Sequence, residues 1–115
     1  MRRGDIYLVD LDPVRGSEAI KARPAVIVSN DAANRSVETQ GRGVITMVPV
    51  TSNTDRVYAF QVFLDAGRSG LVKDAKAQCE QVRTVAVERL VRRLGAVPSV
   101  TLKSLDDALR RQLAL

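Results

Sequence analysis

A mainly β, α+β fold closed by a C-terminal helix is the expectation for this chain, and three observations carry it. Short runs of Val and Ile recur, most clearly Ala25-Val26-Ile27-Val28-Ser29 and Val44-Ile45-Thr46-Met47-Val48. Runs of that length, bounded by Pro and Gly, read as buried strands. Polar turn clusters such as Gly41-Arg42-Gly43 and Ser52-Asn53-Thr54-Asp55 separate them. After Pro98 the period changes, with Leu102, Leu105, Leu109 and Leu113 recurring at steps of three and four. That spacing is one face of an amphipathic helix. At 115 residues the chain, 1–115, makes one domain. A domain of this size buries roughly two-thirds of its unfolded surface, enough for a real core.

Taken in order, Ile6-Tyr7-Leu8-Val9 is the first strand, broken by Asp12-Pro13. Residues Val14 to Ala22 form a loop long enough to act as a flap. Pro24 pushes Arg23 toward extended backbone at the entry to the second strand. Asn30-Asp31 ends that strand, and Ala32 to Arg35 make one short helical turn. The Val44 run is the third strand, ending at the polar stretch Pro49-Val50-Thr51-Ser52-Asn53. Phe60 to Leu64 is the fourth, and Gly67-Arg68-Ser69-Gly70 reads as a hairpin-like turn. Leu71, Ala75, Ala77 and Cys79 share a face at period two, giving two strand segments between Leu71 and Val85. Val87 to Arg89 is a helical turn and Leu90 to Val97 another strand. Ser99 or Thr101 caps the final helix, and Arg110 and Arg111 favour its C-terminal end.

Composition limits the chemistry. Hydrophobic residues make up 45%, as in a globular protein, but only 3% are aromatic: Tyr7, Tyr58, Phe60 and Phe63. That supply is too thin for a dense base-stacking platform. A single cysteine excludes an internal disulfide and gives no metal cluster. Histidine is absent, so the usual acid–base residue near neutral pH is missing. Acid–base chemistry falls to Glu, Asp, Arg, Lys, Tyr or the lone Cys. The net charge of +5 favours polyanionic partners without choosing among RNA, DNA and an acidic protein. The start shows no secretory apolar region and no run is long enough to span a bilayer, so the cytoplasm is the expected location.

One set of motifs is more specific. Gly4-Asp5-Ile6-Tyr7, Asp12-Pro13, Gly16-Ser17-Glu18, Arg23-Pro24, Pro49-Val50-Thr51-Ser52 and Glu80-Gln81-Val82-Arg83-Thr84 follow one another in a characteristic order. That order and spacing resemble the MazF/PemK family, the toxin halves of bacterial type II toxin–antitoxin pairs. The likeness runs from residue 4 to residue 115. It implies a small SH3-like β-barrel of the MazF/PemK/CcdB type. It further implies a sequence-selective endoribonuclease that needs no metal or other cofactor, and a homodimer. The partners it implies are single-stranded RNA and a MazE-like antitoxin whose acidic tail lies in the RNA groove.

Residue by residue, each site candidate has a plain reading beside the functional one. Arg23 is either a surface arginine pairing with Asp12 or Glu18, or a guanidinium aimed at a phosphate. The resemblance makes it the catalytic arginine. Thr51 either bonds its own turn or, by the resemblance, holds the scissile phosphate with Ser52 as a second donor. Glu18 is either a solvated loop charge or, by the resemblance, the general base. Ser17, Lys21, Ser52, Asn53, Gln78 and Glu80 are candidate RNA contacts. PemK-like members carry an acid at the position of Glu80 and a base two residues before it, where this chain has Gln78. Gln78 is a poor proton donor but can bond a base edge. Glu80 and Arg83 also suit a structural charge pair or a subunit contact. Cys79 reads as a small buried apolar residue, while Arg35, Arg42, Lys73 and Lys76 are surface charges that would guide RNA if they line one groove. Two other functions fit the composition: a non-catalytic inhibitor of DNA gyrase on the same barrel, and a nucleic-acid-binding barrel without activity.

Overall fold

The computed structural model describes residues 1–11 and 22–115. Its seven strands are β1 (Asp5–Asp10), β2 (Ala22–Ile27), β3 (Val44–Thr51), β4 (Gln61–Leu64), β5 (Ala75–Gln78), β6 (Arg83–Ala86) and β7 (Leu90–Ala96). They pair antiparallel in the order β4-β5-β3-β2-β1-β7, with β6 also on β3. Strand β3 is central. One edge carries β2; the other carries β6 on its first half, from Val44 to Met47, and β5 at Val50 and Thr51.

The apolar runs are unbroken because β2 and β3 are buried on both faces. Ile6, Val26, Val48 and Val50 face one core with Val62, Leu64, Ala77 and Leu105. Val9, Ala25, Ile27, Ile45 and Met47 face a second core with Leu11 and Val85. Alternation along each strand divides its residues between the two.

Three helices complete the described chain: α1 (Asp31–Gln40), α2 (Ala66–Ser69) and α3 (Ser99–Leu113). Three expectations about them are corrected. The single turn expected at Ala32 to Arg35 is a helix of 10 residues. Asn30 caps it by accepting from the Ala33 N–H at 2.8 Å, and Gly41 ends it at φ 68°. Its fully buried side chain is Asn34, not an apolar one. The hairpin-like turn at Gly67 to Gly70 is instead helix α2, capped by Asp65 and closed by Gly70 at φ 81°. Neither Ser99 nor Thr101 caps α3. Pro98 holds the cap position without a side-chain bond, and Ser99 is already inside the first turn. Along α3, Leu105 and Ala108 are buried, Leu102 and Leu109 pack against the core, and Leu113 is 52% exposed.

Polar ties fix the ends of the sheet. Asn34 donates to the Ser29 carbonyl at 2.9 Å and accepts from the Ser29 hydroxyl, which itself accepts from the Thr46 N–H at 3.2 Å. This stitches α1 to β3 just where β2 stops. Arg3 donates to the Val28 carbonyl at 2.9 Å and pairs with Asp106 of α3 at 2.7 Å.

Cys79 is fully buried, as its sequence context suggested. Burial first, then the nearby Glu80 charge, push its thiol up from 9.0 to about 11. The folded state therefore holds this proton more tightly than the unfolded state. The resulting stabilisation is complete below pH 9 and is lost as pH rises through about 11. Tyr7 acts in the same sense, raised by burial and then by Asp5 and Glu38. The urea midpoint is expected to fall across this alkaline range, and less steeply in Cys79→Ala. An equally steep fall in that variant would remove Cys79 as a cause.

Candidate functional site

Strand register explains how two distant sequence motifs meet. Ala25 lies opposite Pro49, and Val26 opposite Val48. Continuing that register by two residues sets Arg23, near the start of β2, across from Thr51 at the end of β3. On its other side Arg23 lies opposite Val9 of β1. Both residues open onto a groove of about 560 Å³.

The groove has an apolar floor and a cationic rim. Leu8, Pro24, Val50, Leu71 and Leu94 contribute apolar surface. Arg23, Lys73 and Arg92 bring three cations, and Thr51 and Ser52 bring two hydroxyls. Arg92 was not singled out from sequence. Its signal is weak: it is one of two adjacent arginines, and alternation sends them opposite ways. Arg92 lies opposite Leu8 on β1, whereas Arg93 lies opposite Tyr7 and pairs with Asp5 at 3.3 Å.

Thr51 makes the turn bond that is one of its two sequence readings. Its hydroxyl oxygen accepts from the Asn53 N–H at 3.3 Å. Asn53 in turn accepts from the Asp55 N–H at 3.2 Å. Both bonds shape the turn leaving β3, and both use side-chain oxygens as acceptors. The Thr51 O–H proton is left to point elsewhere.

The wall formed by Gly70, Leu71, Val72 and Lys73 is fixed from behind. The Gly70 and Gly95 backbones touch so closely that a Cβ on Gly95 would lie 2.0 Å from the Ser69 carbonyl oxygen. Glycine is required there by this approach, not by its dihedral angles.

The remaining candidates fall into two groups. Ser17, Glu18 and Lys21 fall outside the described residues, as does most of the Val14 to Ala22 loop. Asn53, Gln78 and Glu80 are not among the groove-lining residues. Gln78 lies across from Gln61 of β4. Glu80 sits in a 3-10 turn (Cys79–Gln81) and accepts from the Gln61 side chain at 2.7 Å. Its partner is Gln61, so the Glu80–Arg83 charge pair considered from sequence is replaced by this bond. Among the described residues, no three His, Cys, Asp or Glu side chains gather as a metal site would require. No helix among them is long and apolar enough to cross a membrane.

The family model for the PemK-like, MazF-like toxin of type II toxin–antitoxin systems matches residues 2–113. The chain belongs to this family. Endoribonuclease MazF9 of Mycobacterium tuberculosis is 58% identical over 115 residues, covering 100% of this chain and 98% of that protein. Endoribonuclease EndoA of Bacillus subtilis is 32% identical over 116 residues, covering 100% of this chain and 96% of the relative. A mycobacterial endoribonuclease solved in complex with its cognate antitoxin superposes with a TM-score of 0.79 at 27% identity, over 100% of this chain and 96% of the other. The expected fold class, a mostly antiparallel sheet with a C-terminal helix, is thus that of MazF toxins.

Proposed function

We propose that this MazF/PemK-family toxin is an endoribonuclease that cleaves single-stranded RNA selectively and without a metal ion. The observation that carries the proposal is the convergence of Arg23, Thr51 and Ser52 on one cationic groove. RNA supplies its own nucleophile, the ribose 2′-hydroxyl, so no activated water is needed. The 2′-oxygen attacks the adjacent phosphorus and the bond to the 5′-oxygen breaks. The products are a 2′,3′-cyclic phosphate and a 5′-hydroxyl.

Roles follow from chemistry. A guanidinium in a protein keeps its protons, so Arg23 stabilises charge on the phosphate and does not relay a proton. Thr51 and Ser52 donate hydrogen bonds to the same group. Each preorganised donor of this kind is worth roughly 3 kcal/mol in the transition state. Glu18, which precedes β2 in the sequence, accepts the 2′-hydroxyl proton, and water returns one to the leaving 5′-oxygen. Lys73 and Arg92 bind flanking phosphates. Base selection comes from unpaired bases read on their exposed edges.

An antitoxin is the proposed protein partner, supported by family membership and by the related toxin solved with its own antitoxin. Its acidic tail would occupy the cationic groove in place of RNA. A homodimer is proposed on the same family grounds, and a monomer in sedimentation at micromolar concentration would contradict it.

Labelled single-stranded RNA incubated with the purified protein and excess chelator tests the reading. Cleavage that persists in chelator is expected. Retention of RNA without cleavage would favour a binding protein, and activity that disappears in chelator and returns with magnesium would overturn the metal-free mechanism.

A further inference from the structure

The loop joining β3 to β4 carries a stacked aromatic pair in which Tyr58 is exposed and Phe60 is half-buried. The Tyr58 and Phe60 rings lie 5.3 Å apart and within 2° of parallel. Tyr58 is nonetheless 45% exposed. An aromatic pair formed only to pack a core would be covered.

Buried polar groups hold this pair in place. Gln61, 8% exposed, accepts from the Tyr58 N–H at 3.1 Å through its side chain and donates its own N–H to the Tyr58 carbonyl at 2.9 Å. Glu80 fixes Gln61 from behind at 2.7 Å. Lys76, also 8% exposed, donates to the Arg56 carbonyl at 2.5 Å. Its ammonium lies 5.9 Å from the Tyr58 ring centre, and the Arg56 guanidinium lies 5.5 Å from it. Burying a lysine is costly unless it is bonded. Here the bond of Lys76 goes to fixing the position of one surface loop.

The platform adjoins the groove. Lys76 lies directly opposite Thr51 across β3 and β5. Through Lys76 the platform is tied to the strand end that carries Thr51. Exposed π-faces beside cations suit a polyanion that carries flat rings, which is single-stranded nucleic acid. Arg56 is held at the ring by a 3.3 Å bond to the Tyr58 hydroxyl. A base taking its place would free the guanidinium to reach that nucleotide's phosphate.

We propose that the Tyr58–Phe60 pair is a base-stacking subsite beside the groove, with Gln61, Lys76 and Glu80 as positioning residues. The inference rests on the RNA reading of the groove. It is compatible with an aromatic supply too thin for a dense platform, because two of the four rings are placed together.

The probe is a randomised single strand of about 12 nucleotides with every 2′-hydroxyl methylated, so that it binds without being cut. Tyr58→Leu is expected to weaken its binding roughly 5- to 100-fold, the worth of one stacked base. The log–log salt slope should change by at most about 0.7, the share of the one phosphate that Arg56 reaches when a base stacks. Tyr58→Trp should restore binding. An abasic strand of the same length should bind wild type and Tyr58→Leu equally. If Tyr58→Leu does not fold, Phe60→Leu carries the same comparison. Equal binding of the base-bearing strand by wild type and variant overturns the subsite while leaving the groove reading intact. An equal loss on the abasic strand overturns it too, by showing that stacking is not the cause. If wild type fails to bind the strand at all, the RNA reading falls and the subsite falls with it. If the variant loses affinity for an acidic peptide but not for RNA, the pair is a peptide surface and the proposal is wrong.

Discussion

The Arg23→Ala protein is expected to cleave RNA about 100-fold more slowly than wild type, or worse. The estimate is the worth of one preorganised charge aimed at a phosphate. Arg23 is exposed at the groove, and its sheet neighbours Val9 and Ala25 stay buried without it. The fold should therefore survive, and the urea midpoint should move little. Thr51→Ala should act in the same direction but less strongly, because the turn loses one 3.3 Å bond and the phosphate loses one neutral donor. Lysine at position 23 should rescue only part of the rate, since a point charge lacks the two-pronged donor geometry. A folded Arg23→Ala protein with an unchanged rate would remove Arg23 from the chemistry and leave the groove without its central cation.

Gly95→Ala is expected to be the most damaging single methyl in the described chain. The added carbon would sit 2.0 Å from the Ser69 carbonyl oxygen and 3.0 Å from its carbon. These are backbone atoms at the end of α2, so no side chain can swing away. Either β7 or the α2 turn must move. Overpacking costs about 1–3 kcal/mol where neighbours yield, and this case should reach or pass the upper end. That is a large share of the roughly 5–15 kcal/mol that holds a typical domain together. Activity should fall further than stability alone requires, because Gly70 to Lys73 wall the groove. Gly41→Ala is the matched control. Its Cβ meets nothing within 4 Å and only the positive φ is strained, a cost of roughly 1–2 kcal/mol. Similar urea midpoints for the two variants would show that the α2–β7 contact yields easily.

The sequence revealed the strands because their apolar runs are bounded by Pro, Gly and polar turn residues. It revealed α3 because Leu102, Leu105 and Leu109 keep helical spacing on a packed face. Helix α1 was mostly hidden. Its buried residue is Asn34, whose bonds to Ser29 have no periodic signature. Helix α2 was hidden because a four-residue helix that contains Gly67 and ends at Gly70 looks like a turn. Its Asp65 and Gly70 caps were the available clue.

At the site, the motif order placed Arg23 and Thr51 on strands whose register brings them together. Pairing is a long-range property, so Arg92 could not be assigned to the same groove from its own neighbours. The Glu80–Arg83 charge pair was misplaced for a similar reason: the partner of Glu80 is Gln61, 19 residues away in sequence. The aromatic count likewise hid the arrangement, since composition records how many rings exist but not which ones stack.

The most direct test of metal-free transesterification is product analysis on a single defined RNA in the presence of chelator. The cut is first mapped. The same strand is then made with one 2′-deoxy nucleotide on the 5′ side of the scissile phosphate. The expected products of the all-ribose strand are a 2′,3′-cyclic phosphate and a 5′-hydroxyl, and the substituted strand should bind but remain whole. Cleavage of the substituted strand at the same phosphate, or a 5′-phosphate on the product, would contradict attack by the 2′-hydroxyl and require an external nucleophile.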